Sequence, residues 1–463
     1  MLKINKKVLA GGVIAMTLAL SANTQAKVSQ EAADRLGKDL TPVGADPNAN
    51  AEGTIPAWTG GFSRNYQIPS GYKPGDFHLN PFPDDKILFT IGADNLEQYK
   101  DHLSAGQIAL INQYPATYKI HVYQSRRTAE MPQEVYDALK YNATHSELVP
   151  SGNGVVDMKI GTPFPVTENG LEMVWNHVTR YRGKAVYVYG ASAAPLVDGA
   201  YTIVKDEGSL VFNSEFMGVK GHKLGNIVFF YEVKTTAPTR LAGDVLLVHE
   251  TLDQSKEPRL AWTYSAGQHR VRRAPQVAFD TARGVDGMRT ADNLDIYNGS
   301  PERYDWTYEG KKEVYLPYNM YEFASPKNSY KDILTRNHPN VEKMRFELHR
   351  CFVVTGKLKP GMKHVYAKRT FYIDEDSWQI SLADQFDGKG KLWRVSEAYP
   401  INYYDAGIHW NIGETHHDLL ARRYLIGTLS NEEKGPRDFT FASKPEAQLV
   451  NYSPSALRRA GIR

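Results

Sequence analysis

The stretch Trp378-Gln-Ile-Ser-Leu-Ala-Asp-Gln-Phe386 decides the fold class. Trp378, Ile380, Leu382 and Phe386 share one face and Gln379, Ser381 and Gln385 the other, the two-residue period of a half-buried β-strand. Asp387-Gly-Lys-Gly390 follows as a turn, and residues 392–399 run back as a strand. Upstream, Phe346, Leu348, Phe352 and Val354 repeat the alternation, with Arg350 interrupting it. Working outward, residues 185–192, 201–206, 209–217, 227–235, 245–253, 259–265, 304–314, 344–358, 364–374 and 416–429 also read as strands. Many consecutive antiparallel strands joined by short turns predict a β-rich α+β fold built on one large, strongly curved sheet.

Helical signals precede residue 184. A short helix is expected at 29–36 from a Ser29 N-cap. Asp94-Asn-Leu-Glu97 and Ser104-Ala-Gly-Gln107 read as capping boxes, and Pro115 ends the second helix. Pro132 introduces a helix with Val135 and Leu139 inward. Asn169 caps a helix whose Leu171, Val174, Trp175 and Val178 form an apolar stripe. Residues 39–82 are rich in Pro, Gly and Asn, either a disordered arm or a structured wrap; interleaved Ile55, Trp58, Phe62 and Tyr66 favour the wrap. The predicted organisation is a leader at 1–26, an irregular arm at 27–92, a helical segment packing on the sheet at 93–183, the β domain at 184–434 and a loop-like tail at 435–463.

The leader has Lys3, Lys6 and Lys7, an apolar run over 8–20 and Thr24-Gln25-Ala26 at its end, the pattern of a cleaved secretory signal peptide. Export to the bacterial periplasm follows as an expectation, with possible partners at the outer membrane. After the leader, no apolar run reaches the about 18 residues of a membrane helix. The three leader lysines account for the whole formal charge of +3. A chain neutral without them gives no reason to expect nucleic acid. Cys351 is the only cysteine, so no internal disulfide is available, and its place in an alternating strand reads as a small buried hydrophobe. The 28 Tyr, 17 Phe and 7 Trp suit strands, and suit surfaces that meet both water and an apolar ligand.

No catalytic signature is present: there is neither a G-x-S-x-G elbow nor a phosphate-cradling G-x-x-x-x-G-K-S/T loop. His416 and His417 beside Glu414 and Asp418 are the nearest approach to a metal site, but adjacent strand residues point to opposite faces. Asp374-Glu-Asp376 reads as an acidic turn between strands rather than a catalytic pair. No enzyme activity, metal or cofactor is therefore expected. A basic hairpin contributes Arg270, Arg272 and Arg273, which would meet lipid headgroups or a protein partner.

Several motifs resemble a proteobacterial exported family whose domain is formally of unknown function and is labelled outer-membrane lipoprotein-sorting protein. The strongest is Leu40-Thr-Pro-Val-Gly44 followed by Gly53-Thr-Ile-Pro-Ala-Trp-Thr-Gly-Gly61. Pro163-Phe-Pro165, Trp175-Asn-His177, Ala261-Trp-Thr-Tyr264 and Arg369-Thr-Phe-Tyr-Ile-Asp374 extend it over nearly the whole chain after the leader. The strand region is similar to the lipoprotein carriers LolA and LolB, which implies an incomplete barrel closed by helices around an apolar cavity. The resemblance implies a carrier or chaperone for a lipid, lipoprotein or other hydrophobic molecule, working beside an RND-type transporter and an outer-membrane protein. The residues expected on or near that cavity are Trp262, Tyr264, Phe346, Leu348, Phe371, Ile373, Trp378, Ile380 and Leu382. The alternative is an adaptor that docks onto such a transporter and holds no ligand.

Overall fold

A computed structural model describes residues 28–213, 225–274 and 279–462; the leader lies outside them. In chain order the helices are α1 (Gln30–Ala33), α2 (Phe62–Asn65), α3 (Leu96–Tyr99), α4 (Ala105–Gln113), α5 (Gln133–His145), α6 (Gly170–Thr179), α7 (Tyr330–Ile333) and α8 (Pro454–Ile462). The first strands are short: β1 (Phe89–Ile91), β2 (Ile120–Val122), β3 (Glu147–Leu148) and β4 (Val155–Val156). A meander follows in β5 (Ala185–Ala193), β6 (Val204–Phe212), β7 (Ile227–Ala237), β8 (Val245–Thr251), β9 (Leu260–Ser265) and β10 (Arg270–Arg273). After the small pair β11 (Ala282–Arg283) and β12 (Arg289–Thr290) comes the second meander: β13 (Tyr304–Pro317), β14 (Phe346–Leu358), β15 (Lys368–Asp374), β16 (Ile380–Phe386), β17 (Leu392–Tyr403), β18 (Ile408–Asp418) and β19 (Arg423–Leu429).

The two meanders form one open antiparallel sheet. Its order runs β13-β14-β15-β16-β17-β18-β19 and then, through the β19–β5 pairing, β5-β6-β7-β8-β9-β10. Strands β1 and β2 join it by a parallel contact of Val122 with Phe346.

The large core lies where α4, α5, β1 and β2 meet β17 to β19 and β5. It includes Leu110, Ile111, Val135, Leu139, Tyr399, Ile401 and Ile426. A second cluster lies beneath α6, whose Met173, Val174, Trp175 and Val178 pack on Phe352, Val354, Phe371, Ile373 and Ile380. The capping box at Ser104 forms as expected, and Asn169 accepts from the backbone of Leu171 and Glu172. At α3 the expected box does not form: Asn95 is the N-cap and its side chain bonds Gly92 N and Thr90 O instead.

The arm wraps the surface, burying Ile55 and Phe62. Gly44 has φ +91°, and a Cβ there would meet Pro165 O at 1.7 Å, so the Leu40–Gly44 motif needs glycine to lie against Pro163-Phe-Pro165.

Three readings change, two of strands and one of the tail. Residues 201–206 and 209–213 are not two strands: β6 runs straight through Gly208, where a Cβ would lie 2.1 Å from Glu232 O, and the expected continuation over 214–217 lies outside the described residues. Residues 416–429 are not one strand but the hairpin of β18 and β19. The tail at 435–463, read as loop, carries 3₁₀ turns and helix α8, which packs Leu457 beside Phe441 and Tyr452 on the sheet.

Candidate functional site

The strands β5 to β9 are apolar on both faces. Val245, Leu247, Val211, Phe230 and Ala185 point to one side and are sealed by Phe441, Tyr452 and Leu457 of the C-terminal segment. Phe229, Tyr231 and Val233 on β7 and Leu246 and Val248 on β8 point to the other; Tyr231 faces Val248 and Val233 faces Leu246 across the ladder. Strands that are apolar on both sides ordinarily sit between two covering layers. Here the second side opens on a cavity of about 720 Å³. Its wall is β5 to β9 with Leu425, Gly427 and Thr428 of β19, and the segment from Arg283 to Asn298 lies opposite. Val188, Tyr231, Val233 and Leu246 are only half-buried although they sit within the strands, because they look into this space.

A few polar groups punctuate the lining. Glu250 takes hydrogen bonds from Arg259 Nε at 2.8 Å and Asn298 Nδ2 at 3.2 Å. Glu414 accepts the backbone N–H of Ile296 at 3.1 Å. His416 meets the Ser396 hydroxyl at 2.8 Å through Nδ1, and burial lowers its pKa. Burial raises the carboxyl of Asp206 against the opposing hydrogen bond from Thr235. Arg283 and Arg289 stand side by side on β11 and β12, and neither has an acidic side chain within ion-pair distance among the described residues. Burial, and then the Arg289 charge, lower the Arg283 pKa.

The expected cavity residues mostly lie elsewhere. Phe371, Ile373, Trp378 and Ile380 are fully packed beneath α6, with the Trp378 ring stacked 4.8 Å from Phe352 and its Nε1–H donated to Val43 O at 2.9 Å. Phe346 and Leu348 belong to the large core, and Leu382 packs with Cys351 and Tyr372. A bulge at Ser381 explains the last: Ile380 pairs with Ile373 but Leu382 pairs with Tyr372, so the two leave the shared face expected of them. Trp262 and Tyr264 are in the right region, but Trp262 pairs with Leu247 and Tyr264 with Val245, on the side that α8 covers. Tyr264 is nevertheless among the residues that line the cavity, as expected.

The correction has one cause. α6 fills the sheet over β14 to β16, whereas among the described residues no helix fills the face of β6 to β8. The signal in the sequence was the run Ile227-Val-Phe-Phe-Tyr231 and the run Val245-Leu-Leu-Val248, apolar at successive positions rather than at alternate ones.

His416 and His417 do face opposite ways, since Ser396 pairs with the first and Val395 with the second. Arg270, Arg272 and Arg273 are all exposed: β10 is the last strand of the sheet and pairs with β9 alone, and only Val271 between them packs toward the C-terminal segment. No helix among the described residues is long and apolar enough to cross a membrane.

Residues 90–458 match the family described as "Protein of unknown function (DUF1329)". An uncharacterised protein of Pseudomonas aeruginosa is 48% identical over 463 residues, the full length of both chains. Among solved structures, a domain assigned to an outer membrane lipoprotein-sorting protein of Vibrio parahaemolyticus aligns with TM-score 0.42 at 11% identity, covering 63% of this chain and 98% of its own. A DUF1329 family protein of Desulfovibrio piger gives 0.38 at 12%, covering 59% and 92%. A LolA superfamily protein of Nitrosomonas europaea gives 0.34 at 11%, covering 56% and 91%. None of the three scores reaches 0.5.

Proposed function

We propose that this chain, which belongs to the DUF1329 family, is a periplasmic carrier that holds an amphiphilic molecule, a lipid or the acyl chains of a lipoprotein, in the cavity beside β5 to β9. The observation that supports it is the unfilled apolar face: Tyr231, Val233, Leu246 and Val248 line about 720 Å³ that no side chain of the described residues occupies. Such a volume falls in the usual range of small-molecule sites. Each methylene buried there contributes about 0.8 kcal/mol. Arg283 and Arg289 stand where an anionic headgroup would find cations not already paired with carboxylates. The leader-like first 26 residues support the compartment.

The test is direct. Purified protein is extracted with organic solvent and searched by mass spectrometry, and its uptake of an acyl-chain fluorophore is titrated. Saturable uptake is expected, weakened at least about tenfold by Val233→Glu or Leu246→Glu, each of which puts a charge on the apolar wall. A wild-type protein that yields no amphiphile and takes up no dye removes the carrier reading.

The second reading, an adaptor on an RND-type transporter or an outer-membrane protein, draws on one feature. Arg270, Arg272 and Arg273 are exposed on an edge strand and have no acidic partner among the described residues. An edge strand is itself a surface for pairing.

A further inference from the structure

Strand β14 and the turn after β15 carry a second constellation, none of whose residues lines the cavity. His349, Asp374 and Asp376 are all buried, and one donor atom from each lies within 4.8 Å of the others. The positions of the protons decide what this group is. Glu347 accepts from Arg345 Nε at 2.6 Å, the backbone N–H of Arg126 at 2.6 Å and Asn319 Nδ2 at 2.9 Å. It is thereby held as a carboxylate, an acceptor only. His349 Nε2 lies 3.2 Å from its Oε2, so Nε2 carries the ring hydrogen and donates it. In the neutral ring this places the lone pair on Nδ1.

That lone pair faces Asp374 Oδ1 at 3.9 Å. Oδ1 is buried and has no hydrogen-bond partner; Oδ2 takes the Ser377 and Tyr318 hydroxyls. Two acceptors facing each other in a dry interior repel unless a cation lies between them. A proton on Oδ1 is the obvious one, because burial and the charge of Asp376 push the Asp374 carboxyl up to about 7. An O–H···N bond, however, would close the gap to about 2.7 Å. Two donors on one tetrahedral ion with bonds of about 2.0–2.2 Å stand about 3.3–3.6 Å apart, so an ion needs the 3.9 Å gap to close far less than a hydrogen bond does.

The remaining features agree. An imidazole whose far N–H is held by a carboxylate is the arrangement that orients metal-binding histidines. Asp376 spends one lone pair of each oxygen on Arg127, at 2.6 and 2.8 Å, and keeps the others. Glu375 has Arg350 at 2.8 Å and Asp376 has Arg127, but among the described residues no lysine or arginine is in ion-pair contact with Asp374. We propose that His349 Nδ1, Asp374 Oδ1 and one oxygen of Asp376 bind a divalent first-row cation, Zn²⁺ or Mn²⁺, as a structural ion. Nitrogen and oxygen donors without thiolate suit these two metals. The donors draw together by about 1 Å on binding.

The arm seals the site. Arg127 Nη2 donates to Asp46 O at 2.8 Å and Arg350 Nη2 to Asn48 O at 2.5 Å, so two backbone carbonyls of the arm pin the guanidiniums over the cluster. The ion therefore enters while the chain folds and does not exchange afterwards.

The experiment unfolds the protein in guanidinium with a chelator and refolds it with Zn²⁺, with Mn²⁺ or with neither. Bound metal is counted by mass spectrometry after desalting, and the thermal midpoint is measured. One ion per chain is expected, with a midpoint raised by about 5 °C or more over the metal-free protein. Asp374→Asn and His349→Gln should lose the ion, while Cys351→Ala should keep it, which excludes thiol binding. Should either ligand variant fail to fold, the wild-type comparison still decides. Wild-type protein that refolds with less than about a tenth of an ion per chain, or with a midpoint indifferent to both metals, overturns the proposal and leaves the proton between His349 and Asp374.

Discussion

His177 illustrates how a single side chain couples the fold to acidity. The backbone N–H of Ile380 donates to its Nδ1 at 3.0 Å, so the ring hydrogen sits on Nε2 and is given to Asp295 O at 3.0 Å. Burial, and after it the charge of Arg180, hold this histidine neutral, lowering its pKa from 6.5 to about 3. His338 is lowered to about 4, again chiefly by burial. In the unfolded chain both take a proton near the ordinary value. The stability they contribute is complete above about pH 6.5 and is lost as pH falls toward 3 to 4, because the unfolded state then binds protons that the native state refuses. Each histidine should add about 1.4 kcal/mol of lost stability per pH unit within that window. Urea unfolding at pH 7.0, 5.5 and 4.5 would measure the slope. His177→Gln should be less stable at pH 7 and show a slope shallower by one proton. An unchanged slope would mean that the ring is already protonated in the fold.

At the scale of elements, Ser104 ties a helix end to a strand. Its Oγ accepts from Gln107 N at 3.1 Å and donates to Asp384 Oδ1 at 3.2 Å, and the Gly106 N–H reaches the same oxygen at 2.9 Å. Ser104→Ala removes the cap of α4 and one donor from a buried carboxylate, so a loss of about 1–2 kcal/mol is expected, with Ser104→Thr restoring most of it. Equal denaturation midpoints for wild type and Ser104→Ala would refute the assignment.

Such caps are legible in sequence because they are local, and the Ser104–Gln107 box and the α6 stripe were both readable. The β18–β19 hairpin was not, since its turn has no glycine, proline or asparagine; Arg422 takes φ +54° there instead. Nor was the bulge at Ser381, which exists only in relation to the partner strand β15. The opposite error occurred at Glu207-Gly208. It looked like a turn, but glycine was there to let β7 approach. The cavity lay further still from view, because it depends on where α6 stops covering the sheet. Alternation marks a strand's faces but does not say which face a distant helix will claim.

On the scale of the whole molecule, the sheet is not closed. Its strand order ends at β10, a four-residue strand whose arginines are exposed, while β14 to β17 have partners on both sides. Hydrogen exchange should follow this gradient. Amides of β9 and β10 are expected to exchange at least about a hundredfold faster than those of β15 and β16. Uniform protection across the sheet would contradict it.

The two strands at that margin stand next to β8, whose Leu246 and Val248 form part of the apolar cavity wall. Peeling β9 and β10 away would widen a lateral slit while leaving every other ladder intact. In the proposed carrier, admission from the side rather than through an opening loop would let one scaffold adjust its girth to tails of different bulk.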